Sequence, residues 1–133
     1  MSNIDELISE GKSFEVSYSN GNPIIQNYKG ISKTSVSKEE LRGFKKVKSK
    51  ISSKIIPAIK DICNTLINNK IPFKIVFIKK DVEVRFDLDH YVHIYDNGSI
   101  SIAGFSSNKD HPLSLIYDTL ESIGEIKFLK PLR

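Results

Sequence analysis

From Val82 to Tyr95 the chain alternates with a period of two. Even positions are Val82, Val84, Phe86, Leu88, His90, Val92 and Ile94; odd positions are Glu83, Arg85, Asp87, Asp89, Tyr91, His93 and Tyr95. Successive side chains of a strand point to opposite faces, so this run builds an antiparallel sheet with one apolar and one wet side. It is too long for one ordinary strand, which places a turn within Asp87–His90. Only an odd number of loop residues keeps the apolar side chains on one face. Phe86 then stands opposite His90, Val84 opposite Val92 and Val82 opposite Ile94. At Asp96-Asn97-Gly98-Ser99 the same arithmetic favours a three-residue loop with Gly98 in the left-handed region, which pairs Ile94 with Ile102. Ser99 to Gly104 is the next strand, and the mostly buried Phe73–Ile78 is the strand before.

The segments around this meander read as helices and a hairpin. Ser37 has Glu40 three residues on, a capping-box spacing. Leu41, Phe44, Ile51 and Ile55 follow at helical intervals. Pro57 suits a first helical turn but not an interior. A break near Ser52–Ile56 and a second helix to Asn69 are therefore expected, with Ile59, Ile62, Cys63, Leu66 and Ile67 on its apolar face. Asn108-Lys109-Asp110 offers a cap for a last helix carrying Leu113, Ile116, Tyr117, Leu120 and Ile123, stopped by Gly124, with a short closing strand over Glu125–Leu129. Upstream, residues 4–10 suit a short helix. Phe14–Tyr18 and Ile24–Tyr28 flank the turn signal Ser19-Asn20-Gly21-Asn22-Pro23 as a hairpin. The expected fold is α+β: two N-terminal-side helices, a four-stranded antiparallel meander and a C-terminal helix on one sheet face, in a domain over 37–133, with a small hairpin arm over 1–36.

His93-Ile94-Tyr95-Asp96-Asn97-Gly98-Ser99-Ile100-Ser101-Ile102-Ala103-Gly104, followed by Ser106-Ser107-Asn108 and a helix, resembles one half of the TATA-binding-protein fold. A similar module begins one bacterial class of ribonuclease H. The resemblance spans roughly Pro72–Gly124. It implies a strand, an Asn/Ser-Gly turn, a second strand ending in Gly and a capped helix packed on the sheet. That family has two repeats, and one is found here. Its sheet grips DNA with an apolar and basic face, whereas this wet face is expected to carry Glu83, Asp87 and Asp89. The resemblance therefore implies a fold and not DNA binding by the sheet.

Charge separates along the chain. Lys29 to Lys60 holds ten Lys/Arg against two acids, and Asp81 to Glu125 holds nine acids against two bases, within a net charge of +4 over 133 residues. Such a dipolar molecule steers charged partners. Arg42, Lys45, Lys46, Lys48, Lys50 and Lys54 are candidate phosphate contacts for a nucleic acid, non-specific because lysine reads bases poorly. Asp87, Asp89, Tyr91, His93 and Tyr95 are a candidate protein interface for a basic partner, as in an immunity protein or antitoxin. His93 with Asp89 and Tyr95 is the best acid–base grouping, and with Lys79, Lys80 and Arg85 it would suit a small nuclease.

No complete catalytic motif or Gly-rich phosphate loop is present, and no cofactor or metal is expected. His90 and His93 point to opposite faces of a strand, and a structural zinc wants more ligands than Asp87, Asp89 and His93 supply. Cys63, the single cysteine, fits a reducing compartment. No apolar run is long enough to span a membrane, and the acidic start is unlike a secretion signal. The expectation is a cytoplasmic, non-enzymatic binding protein, nucleic-acid-associated first and protein-directed second, of the kind phages and mobile elements carry.

Overall fold

The computed structural model describes residues 3–28 and 53–129. Within them the order is α1 (Asn3–Glu10), β1 (Phe14–Ser19), β2 (Asn22–Asn27), α2 (Ile56–Asn68), β3 (Phe73–Ile78), β4 (Asp81–Arg85), β5 (Tyr91–Ile94), β6 (Ile100–Ala103), α3 (Leu113–Ile123) and β7 (Ile126–Phe128). The strands form one seven-stranded sheet in the order β2-β1-β3-β4-β5-β6-β7. Every pairing is antiparallel except β6 with β7, which α3 connects as a crossover.

The expected meander is present as β3 to β6, but it is the middle of a wider sheet. Residues 14–28 do not form a separate arm. β1 pairs with β3 through Phe14↔Ile75, Glu15↔Lys74 and Val16↔Phe73, and β2 hangs from β1 as the outer edge. Tyr18 reinforces that junction by donating its hydroxyl to the Ile71 carbonyl at 3.0 Å. The helix expected from Ser37, and the division near residue 36, lie outside the described residues.

Strand register follows the alternation. Val82 faces Ile94 and Val84 faces Val92, and the Phe86 amide donates to the His90 carbonyl across the three-residue loop 87–89. The β5–β6 loop also has three residues, Asp96 to Gly98, with Gly98 at φ +92° as the turn requires. Its placement corrects the expected pairing: Ile94 meets Ile100, and Ile102 meets Val92. Both registers keep the apolar faces aligned, so alternation alone cannot separate them. The turn separates them, because the Tyr95 amide donates to the Ser99 carbonyl at 2.9 Å and closes the loop one residue earlier, which shifts each β6 partner by two.

All three helices contribute to one core. Ile8 of α1, Ile59, Ile62, Cys63 and Leu66 of α2, and Leu113, Ile116 and Leu120 of α3 meet Phe14, Ile75, Val84, Val92 and Ile102 from the strands. Each such fully buried aliphatic side chain contributes ~1.5–3 kcal/mol relative to exposure. Pro57 sits in the first turn of α2, where its missing N–H costs nothing. α3 begins without a side-chain cap. Asp110 instead caps the turn before it, accepting from the Ser106 amide and hydroxyl at 2.6 and 2.8 Å. None of the helices among the described residues is long and apolar enough to cross a membrane.

Candidate functional site

Strand residues of the other parity point away from this core. Across the middle of the sheet the register sets Val76, Glu83, His93, Ser101 and Lys127 in one row, with Lys74, Arg85, Tyr91 and Ala103 in the next. Among the described residues no helix contributes to this face, on which Val76 and Glu83 are nonetheless buried, at 1% and 7% exposure. Its centre is a chain of charged groups. The His93 ring lies between two carboxylates, with Nδ1 3.1 Å from Glu83 Oε2 and Nε2 3.0 Å from Asp81 Oδ2. Arg85 Nε donates to the other Glu83 oxygen at 2.7 Å.

Both carboxylates accept, so the geometry calls for an imidazolium donating at both nitrogens. The Glu83 hydrogen bond raises the pKa of His93 above its usual value. Burial opposes this, and Asp81 adds to it. Glu83 is the only buried charged residue among those described, at 7% exposure. Burial alone would push its carboxyl up, but hydrogen bonds from His93 and Arg85 outweigh that and hold it below the usual value. Two cations and two anions thus cancel within the face.

Aromatic rings frame the network. The Arg85 guanidinium lies 4.4 Å from the centre of the Tyr91 ring. The Tyr95 ring lies 4.3 Å from that of His93 and remains 40% exposed. Tyr91, His93 and Tyr95 therefore share the face as expected.

Asp87 and Asp89 do not share it; they lie in the β4–β5 loop at its rim. Asp87 is the hub of that loop, accepting from the Asp89 and His90 amides at 2.8 and 2.9 Å and from His90 Nδ1 at 2.8 Å. The His90 hydrogen bond is the main cause of its lowered pKa. Leu88 at the loop tip is 87% exposed.

The acid–base grouping of His93 with Asp89 and Tyr95 does not form. His93 is instead held at its two ring nitrogens by Glu83 and Asp81. Arg85 is bound to Glu83 rather than paired with His93, because Glu83 stands directly opposite His93 and Arg85 opposite Tyr91. Lys79 and Lys80 are exposed in the β3–β4 turn. Among the described residues no cluster of three or more His, Cys, Asp or Glu is arranged to hold a metal ion. Cys63 is fully buried in the core, and burial pushes its thiol pKa up.

Of the basic candidates, Arg42, Lys45, Lys46, Lys48 and Lys50 lie outside the described residues. Lys54 is exposed in the turn before α2, lining a shallow groove with Asp61, Asp118, Thr119 and Ser122. Two of those neighbours are acids.

Asp81 is the site residue that sequence reasoning missed. It precedes the alternating run by one position, but it has the parity of Glu83 and Arg85. The Glu83–His93 pair was already implicit in the Val84–Val92 register.

Comparison of the chain with protein-family models, with curated proteins and with solved structures finds no match.

Proposed function

We propose that this chain is a non-enzymatic binding protein that docks a protein partner on the open face of its sheet. The observation that carries the reading is the composition of that face: Tyr91, Tyr95 and Arg85 surround a network whose charges cancel internally. Protein interfaces favour such a centre, because Tyr and Arg supply anchoring area and neutralised charges lower the desolvation cost of docking. The rim is different. Asp87 and Asp89 are exposed, within a stretch, Asp81 to Glu125, that holds nine acids against two bases. That excess favours a partner with a basic surface, attracted by the rim and anchored by the centre.

Nucleic-acid association through Arg42–Lys54 is the second reading, and the ten Lys/Arg between Lys29 and Lys60 favour it. One experiment separates the two. Full-length protein is used as bait beside a Tyr91→Ala/Tyr95→Ala variant and a Lys45/Lys46/Lys48/Lys50→Glu variant, all matched for melting temperature. The docking reading expects one protein retained by the wild type and the lysine variant and lost by the tyrosine variant. Retention of nucleic acid alone, released by salt and abolished by the lysine variant, overturns it.

A further inference from the structure

The Asp81–His93–Glu83 chain joins two strands at the centre of the open face and sets the position of an exposed aromatic ring. Asp81 uses its second oxygen, Oδ1, to accept from the Asp96 amide at 2.9 Å, so its carboxylate grips both the His93 ring and the start of the β5–β6 turn. Tyr95 lies between these two points and packs on His93. A single proton on His93 thus bears on whether Asp81 is tied to the ring as well as to the Asp96 amide.

We propose that His93 is a proton-operated clamp. As an imidazolium it bridges Asp81 and Glu83 and holds Tyr95 in place; as a neutral ring it turns a lone pair towards one carboxylate and releases it. A neutral imidazole has one donor, and two acceptors that had shared two donors must then shed one contact. Glu83 keeps Arg85 as its alternative partner, whereas Asp81 keeps only the Asp96 amide. The Asp81 contact is the one that opens.

The groups facing His93 fit this assignment. From β4 come Asp81, Glu83 and Arg85; from β5, Tyr91 and Tyr95. Across β6 it meets Ser101, with Lys127 of β7 beyond, and Val76 and Lys74 of β3 lie past β4. Both anions touch the ring. Arg85 is already engaged with Glu83, and Lys74 and Lys127 are strands away. The balance favours the charged ring, in line with its raised pKa.

The clamp belongs to the free chain and is read without a partner. Its consequence, that docking weakens as His93 loses its proton and Tyr95 is released, rests on the docking reading above.

The test is an NMR titration of the full chain. His90 and His111 are separated from His93 by a His93→Gln variant. The expected result is a His93 midpoint above the usual 6.5, a lower midpoint in Asp81→Asn, and Tyr95 ring signals that change with the His93 midpoint in the wild type but not in His93→Gln. Each pH unit by which the midpoint exceeds the usual value corresponds to about a tenfold weakening of the closed state on deprotonation. Exchange protection of β4 and β5 amides, corrected for the intrinsic effect of pH, falls by that factor. Asp81 is partly exposed, so its variant is expected to fold; if it does not, the wild-type titration and the Tyr95 signals decide. A His93 midpoint at or below 6.5, or Tyr95 signals indifferent to it, overturns the clamp whatever the face binds. A normal clamp with no partner lost in the tyrosine variant overturns the docking reading alone.

Discussion

A carboxylate at 7% exposure stays charged only where donors replace its lost water. Glu83 has two such donors, one on each oxygen. Its removal leaves Arg85 and His93 as facing cations with no anion between them. Glu83→Ala is therefore expected to cost about 2–3 kcal/mol, measured by urea unfolding near neutral pH, because the partners left behind are part-buried rather than fully so. The sign of the pH dependence follows from the direction of the shift. Glu83 is held below its usual value of 4.5, so its contribution is complete above that value and is lost as pH falls through the lower folded one. The wild type should weaken on that acid limb, and Glu83→Gln should flatten it. The Glu83–His93 pair was legible in the sequence, because an odd loop of three residues places 83 opposite 93. Asp81 was not: it lies at the mouth of a turn, and its side chain reaches His93 diagonally.

At the scale of elements, the β4–β5 loop and the end of β6 close on each other. Gly104, at φ +88°, lies against the Asp89 carbonyl, and a β-carbon there would collide with that backbone oxygen. Gly104→Ala combines a disfavoured backbone region with that collision and should destabilise by about 1–3 kcal/mol. Calorimetry gives the loss. Spectral changes at Asp89 and His90, with the α1 region unmoved, would place it in the loop; an unchanged Tm would refute the close approach. The sequence announced this loop well, since alternation demands odd parity and Asp87 and Asp89 are strong turn residues. It did not announce the β5–β6 register, because Ile100 and Ile102 satisfy the same parity. Nor did it announce the β1–β3 pairing. That contact joins residues some sixty positions apart, and neither strand's local pattern names its partner.

At the scale of the whole molecule, a sheet whose described helices lie on one side and whose other side has a charge-neutral centre separates attraction from anchoring. Long-range attraction of a basic partner comes from the acid-rich stretch Asp81 to Glu125, nine acids against two bases, and from its exposed rim, Asp87 and Asp89. Short-range anchoring comes from Tyr91 and Tyr95, which touch groups that are already neutralised. These two roles act on different rate constants. Rim charges act before contact, so Asp89→Lys, which spares the Asp87 hydrogen bonds that hold the loop, should slow association several-fold at low salt, with little change in dissociation. The deficit should shrink as ionic strength rises, because screening removes from the wild type what the variant already lacks. Tyr91→Ala acts after contact and should speed dissociation while leaving the salt dependence of association intact. Surface plasmon resonance with the partner recovered by the bait experiment, run at low and physiological salt, measures both. If the rim variant changes dissociation instead, Asp89 is buried in the interface and the division into rim and centre is wrong. If the tyrosine variant alters only association, the partner contacts some other surface, since losing an anchor cannot slow an encounter it does not guide.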